Sequence, residues 1–288
     1  MKKSFGIKTL AVAATLICAG GSAFAAAVPN PSHRWTFDDY TNGSTIADTG
    51  TTPVADATPY QVTESSDVPS KLAGDTKSAS FDGGGSILIE QPITADFTIC
   101  AWIKTTSSGG VNHWESAPIF DSEVPGGALD YGFGIGDGGQ LMYGSGGYDP
   151  SIPGSTDIID VTIRGNTVVN DNAWHNVCVT RVNSSGLATF YVDGGVDGSG
   201  VTTTSIPNEN TQAQIGYGFD GAAQYVGLID DVRIYSSALT AADIATIANG
   251  DVALQSLAKT GGDFVGVMEI GGALVLAGAV TLIRRRKF

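Results

Sequence analysis

Three short acidic segments carry the groups best suited to chemistry: Asp38-Asp39, Asp82 followed by Gly83 and Gly84, and Asp230-Asp231. A hard cation such as calcium is held by several oxygens drawn from separate segments. Asp38 and Asp39, Asp82 with Gly83 and Gly84, and Asp230 with Asp231 are therefore the candidates to hold Ca2+ as a structural ion. The alternative is that the same aspartates cap turns or pair with Arg34 and Arg233, because Asp is a common turn former. Catalysis is less well provided for. Glycoside hydrolysis needs two carboxyl groups at a fixed separation, and the nearest pair, Asp121 with Glu123, falls in an expected loop where a solvated turn accounts for it. His33, His113 and His175 are scattered, no nucleophile motif accompanies them, and a hydrolytic triad is not expected. No catalytic residue is assigned, and the chain is expected not to be an enzyme. Sugar sites need flat aromatic faces beside polar groups. Trp114 between His113 and Glu115, Tyr143, Tyr148 beside Asp149, and Tyr217 near Phe219 lie in or near expected loops and form the candidate ligand-binding set. Packing beneath a loop is the alternative for any one of them.

The elements that must position these residues read as short strands at 34–37, 78–81, 86–90, 97–104, 117–120, 131–135, 140–143, 174–182, 188–192, 214–217 and 228–235. Gly-rich or Asp-rich turns separate most of them, and such a series predicts an all-β, two-sheet sandwich. One helix is expected at 241–249, with Thr240 as N-cap, Asp243 as capping partner and Gly250 as the stop. It should pack Ile244 and Ile247 on the sandwich edge. Trp35, Trp102 and Trp174 sit within strands and belong to the core.

The two ends differ from the middle. Residues 1–25 begin with Lys2, Lys3 and Lys8, run through an apolar stretch and close with Ala23-Phe24-Ala25, the layout of a secretory signal. Cys18 would suit lipid attachment only with a small residue at Ile17. After a linker, Leu257-Ala258-Lys259-Thr260-Gly261 precedes an apolar stretch at 264–283, long enough to cross a bilayer as a helix. A basic tail at 284–288 follows, which would stay cytoplasmic. The pentapeptide resembles a sortase recognition motif, and that resemblance implies cleavage after Thr260 and linkage to cell-wall peptidoglycan, with the membrane as a temporary anchor. A plain C-terminal membrane anchor is the alternative. Both put the domain outside the cell.

Of 288 residues 15 are Lys or Arg and 29 are Asp or Glu, for a net charge of −14. Eight of those cations lie at the ends: Lys2, Lys3, Lys8, Lys259, Arg284, Arg285, Arg286 and Lys287. The segment between is therefore more acidic still, which repels nucleic acid and favours cations.

The series Trp35-Thr36-Phe37-Asp38-Asp39, Ser80-Phe81-Asp82-Gly83, Asp96-Phe97-Thr98-Ile99-Cys100-Ala101-Trp102-Ile103, Trp174-His175-Asn176-Val177-Cys178-Val179-Thr180-Arg181, Phe190-Tyr191-Val192-Asp193-Gly194 and Ile229-Asp230-Asp231-Val232-Arg233-Ile234-Tyr235 resembles laminin G-like, concanavalin A-like domains. The resemblance covers 28–250 and implies an antiparallel jelly-roll sandwich. It further implies a calcium held by the N-terminal segment, a backbone carbonyl after an early strand, and Asp230. Cys100 and Cys178 occupy positions like those of the pentraxin disulfide, and an exported protein would oxidise them; two buried free thiols are the alternative. The Glu-x-Asp-x-x-Glu run of the glycosidases that share this fold is missing. The expected function is adhesion or ligand binding, with a glycan or an extracellular matrix protein as partner. A carbohydrate-active hydrolase or lyase, or a structural surface or pilus component, is the alternative.

Overall fold

The computed structural model describes residues 27–124, 129–149, 151, 152, 154, 157–206, 209–219, 221 and 224–250, with the backbone of 269–270 and 273–274. The signal segment and the sorting pentapeptide lie outside these residues. So does the C-terminal apolar stretch, except for two dipeptides, Glu269–Ile270 and Ala273–Leu274, that pair antiparallel. Among the described residues no helix is long and apolar enough to cross a membrane.

Alternation of side chains along each strand builds the core. The early strands are β1 (His33–Trp35), β2 (Thr58–Tyr60), β3 (Thr63–Ser65), β4 (Ser78–Asp82), β5 (Ser86–Glu90), β6 (Phe97–Thr105), β7 (Ala117–Asp121) and β8 (Tyr131–Ile135). They continue as β9 (Gln140–Tyr148), β10 (Ile158–Val168), β11 (His175–Val182), β12 (Leu187–Val192), β13 (Gly195–Val201), β14 (Gln212–Ile215) and β15 (Val226–Tyr235). Phe97, Ile99, Ala101 and Ile103 of β6 face Tyr131, Phe133, Ile135, Leu141 and Tyr143 of β8 and β9 in one buried cluster. Each such ring or branched chain contributes about 1.5–3 kcal/mol on burial.

One sheet runs β13-β12-β11-β6-β15-β4-β3, with β1 also on β15; the other runs β10-β9-β8-β7-β14-β5-β2. All pairings are antiparallel, and the sandwich expected from the sequence is present. One edge of β15 serves two partners. Its first half pairs with β4 and its second half with β1. A bulge at Asp230–Arg233 marks the change, and Asp231 takes a left-handed backbone there, with φ 43°. A bulge re-aims side chains, and this one turns Asp230 and Asp231 toward the gap between β1 and β4.

The helix, α1 (Ala241–Ala248), starts with the expected box. Asp243 N–H donates to Thr240 Oγ1 at 3.2 Å, and Thr240 N–H donates to the Asp243 carboxylate at 3.1 Å. Its buried Ile244 and Ile247 do not sit on the sandwich edge. They pack with Tyr191, Tyr235, Leu239 and the Cys100–Cys178 disulfide in a second apolar cluster. The cysteines cause this placement: they oppose each other on β6 and β11 and alternate with core residues, so they face outward.

Strands β2, β3, β10 and β13 go beyond the sequence expectation. β10 is half-exposed along its length and β13 reads Gly-Val-Asp-Gly-Ser-Gly-Val, so neither shows a clean apolar period. β9 runs past the expected 140–143 through Gly144, Gly146 and Gly147.

Candidate functional site

Two polar clusters stand out, one in each sheet. The first lies where β15 changes partners. Asp38, Asp75, Asp230 and Asp231 line a cleft with Arg34 and the backbone of 72–74. Asp231 is neutralised inside the fold: Arg34 Nε donates to it at 2.7 Å and Arg233 Nε at 2.8 Å. Burial works against its ionisation, but the two guanidiniums outweigh burial and hold its carboxyl below the ordinary range.

Asp230 has no such cation beside it. Burial, with Asp75 and Asp231 adding negative charge, pushes its carboxyl up to about 10. Burial likewise pushes Asp75 up to about 6, opposed by its bond to Asp230 and reinforced by Asp38. The two carboxylates are close enough to share a proton, and no other donor reaches either oxygen of Asp75 or Oδ2 of Asp230. Asp38 Oδ1 accepts both the N–H and the hydroxyl of Thr76 at 2.8 Å, which draws the Asp75 loop against β1. The buried oxygens of Asp75 and Asp230, from two segments and with no other donor, are what a hard cation satisfies, with Asp38 lining the same cleft. The cluster fits calcium.

Of the expected metal residues, Asp38 and Asp230 therefore meet, beside the arginine-bound Asp231. Asp39 is exposed and outside the cleft lining. Asp82 and Gly83 are elsewhere: Asp82 pairs with Val226, four residues along β15 from Asp230, which is roughly 13 Å of strand. Asp82 Oδ1 instead accepts the Gly84 N–H in a turn. Asp75 replaces them, and nothing around it in the sequence singled it out.

The second cluster lies on the outer face of the other sheet. Tyr131, Phe133 and Ile135 of β8 point into the core, so Gly132 and Gly134 point out; Gly144 and Gly146 do the same in β9. This glycine floor lets the segment His113–Glu115, a 3-10 turn, lie directly on the sheet. A Cβ at Gly144 would sit 2.2 Å from the His113 ring. His113 is fully buried there. Its N–H donates to Thr162 Oγ1 at 3.1 Å, its Nδ1 lies 2.9 Å from the same oxygen, and its Nε2 lies 2.9 Å from Glu123 Oε1. The Arg164 guanidinium donates to Val111 O at 2.7 Å and clamps the turn to β10.

Glu123 and Asp130 lie beside that imidazole, and they and Asp121 are buried, at 6%, 2% and 2% exposure. This overturns the solvated turn expected at Asp121 and Glu123. Asp121 ends β7 opposite Gly132, and its Oδ1 accepts N–H bonds from Glu123 and Phe219. Trp114 is half-buried and meets the His113 ring edge-on, with centroids 4.9 Å apart. The signal that could have found this face is the alternation of Gly with large residues in Tyr131-Gly132-Phe133-Gly134-Ile135, continued by Tyr143-Gly144-Ser145-Gly146.

The other expected ligand residues divide. Tyr143 is fully buried between the sheets, in contact with Phe97 and Tyr131, and does not reach solvent. Tyr148 is exposed at the end of β9, and Tyr217 is half-buried at a bridge to Gln224. His33 is held by Asp48 at 2.8 Å and His175 by Asp193 at 2.8 Å, both as structural pairs. Trp35 and Trp102 are buried, whereas Trp174 is half-exposed and its indole N–H donates to Asp67.

Residues 80–245 match the family model described as the concanavalin A-like lectin/glucanases superfamily. The human neuronal pentraxin receptor is 27% identical over 162 residues, which cover 53% of this chain and 29% of that protein. Human neuronal pentraxin-1 is 27% identical over 161 residues, covering 53% and 33%. The chain thus spans about a third of the length of these relatives. Among solved structures, domain 4 of AbnA, a GH43 extracellular arabinanase from Geobacillus stearothermophilus in complex with arabinotriose, aligns with a TM-score of 0.56 at 18% identity, covering 76% of this chain and 98% of that one. The binding domain of Paraclostridial Mosquitocidal Protein 1 aligns at 0.52 and 18%, covering 77% and 52%. At these identities the structural likeness is one of fold.

Proposed function

This chain belongs to the concanavalin A-like lectin/glucanase superfamily, and from that premise we propose that it is a non-enzymatic glycan-binding module carried on the outside of the cell. The observation that carries the reading is the glycine-floored outer face of β7–β10. There the half-exposed Trp114 and the exposed carboxylate of Asp160 flank the buried His113. Carboxylates accept hydrogen bonds from sugar hydroxyls, and an indole offers an apolar face to a pyranose or furanose ring. The arabinanase domain that aligns with this fold over nearly its whole length is in complex with arabinotriose, which makes arabinan fragments the first ligands to try. Calcium at Asp38, Asp75 and Asp230 would brace the β1–β4 gap, away from this face. The two chain ends imply export, then sortase linkage through Thr260 to peptidoglycan; mass spectrometry of wall-released protein ending at Thr260 tests that step.

Retention of the full chain on a panel of immobilised polysaccharides, arabinan included, tests the binding claim. Trp114→Ala should weaken retention about tenfold while leaving the fold intact, as loss of a stacking contact does. No retention on any glycan would remove the reading. A second reading is favoured by one observation: burial raises the Asp130 carboxyl above its ordinary range, as suits a general acid in glycoside cleavage. New reducing ends or unsaturated products on the same panel would support an enzyme instead.

A further inference from the structure

We propose that His113, Asp130 and Asp160 bind a divalent transition-metal ion on the outer face of β8–β10, a site separate from the calcium cleft. One ligand atom from each of the three lies within 4.8 Å of the others. The strand register explains the convergence. Asp160 of β10 pairs with Gly146, whose N–H donates to Asp130 O. A carboxylate thus stands on each side of a residue with no side chain, and His113 lies over Gly144 one step along the same strand. With strands about 4.8 Å apart, two carboxylates can meet over the bare glycine.

One tautomer of the imidazole suits a metal ligand. When Nδ1–H is donated to Thr162 Oγ1, 2.9 Å away, the lone pair falls on Nε2. Metal-binding histidines hand their other nitrogen to an oxygen in this way. Nε2 lies 2.9 Å from Glu123 Oε1, a contact that the cation would replace. Asp130 supplies the independent sign of a missing partner. One of its oxygens accepts the Val124 N–H at 3.1 Å; the other is buried and has no hydrogen-bond partner. A buried carboxylate oxygen without a donor costs free energy, and a cation supplies the contact.

One nitrogen with carboxylates favours a borderline ion such as Zn2+ over calcium. Asp160 is exposed and gives the entry side. Three protein donors leave a position for water or for a ligand oxygen.

The test strips the full chain with chelator and titrates it with Zn2+ in excess calcium, then repeats the titration with Co2+ by visible absorption. The expected result is saturable binding of one equivalent and cobalt d–d bands. Asp160→Asn, on the exposed side, should weaken Zn2+ binding about tenfold or more without changing the metal-free melting temperature. Absence of saturable Zn2+ binding, its displacement by calcium, or an Asp160→Asn chain that binds as tightly as wild type overturns the proposal. The readout involves no sugar, so it can fail while glycan retention stands.

Discussion

Asp230 and Asp75 face each other inside the fold, and burial with the neighbouring negative charge raises the carboxyls of both. The sign of the consequence is fixed. An aspartyl group whose ordinary value of 3.8 is raised to about 10 in the folded chain keeps a proton that the unfolded chain has lost between those limits. Stability from this group is therefore fully present below pH 3.8 and declines as pH rises toward about 10. Thermal melting in chelator should give a lower Tm near pH 9 than near pH 5. Asp230→Asn, which keeps a neutral donor toward Asp75, should flatten that slope and abolish any rise in Tm on adding calcium. A calcium response that persists in Asp230→Asn would place the ion elsewhere. Asp38 and Asp230 are legible as candidates because one follows the first strand and the other lies in the motif of the last. Asp75 is not, since its loop has no pattern, and the bond from the Thr76 N–H to Asp38 helps bring it into the cleft.

At the scale of elements, β8 and β9 give up side chains on one face so that a turn can lie flat on them. Gly144→Ala puts a methyl group 2.2 Å from the His113 ring, and overpacking of this kind typically costs about 1–3 kcal/mol. A urea midpoint lowered to match, with the His113 imidazole resonance shifted, is the expected outcome; an unchanged midpoint would mean the turn is not seated there. Strands such as β6 and β15 were readable because apolar and β-branched residues dominate them. β10 and β13 were not, because one is half-exposed along its length and the other is mostly glycine and polar residues, so neither carries the apolar period. Asp121 and Glu123 depart from the sequence expectation for another reason: charge near a turn usually means solvent, and the cover supplied by His113 and Trp114 comes from a segment that only the fold brings over them.

At the scale of the whole molecule, the sandwich carries a second small core outside its first sheet, where α1 covers the Cys100–Cys178 disulfide. The bridge spans 78 residues, and a loop of that length contributes on the order of 4 kcal/mol in the chain-entropy model. The double variant Cys100→Ala with Cys178→Ala should lose most of that by urea denaturation while keeping a β-rich circular dichroism spectrum. A loss of less than about 1 kcal/mol would mean the unfolded chain gains little from the link. Fold and family were legible from six motifs in order, whereas the ligand face depends on pairings between distant strands and was not. The glycan claim is tested most directly by titrating isotopically labelled chain with the oligosaccharide the panel retains and following backbone amide shifts. The account predicts perturbations gathered at Trp114, Gly132, Gly144 and Asp160. Perturbations confined to α1 and the outer face of the first sheet would contradict it.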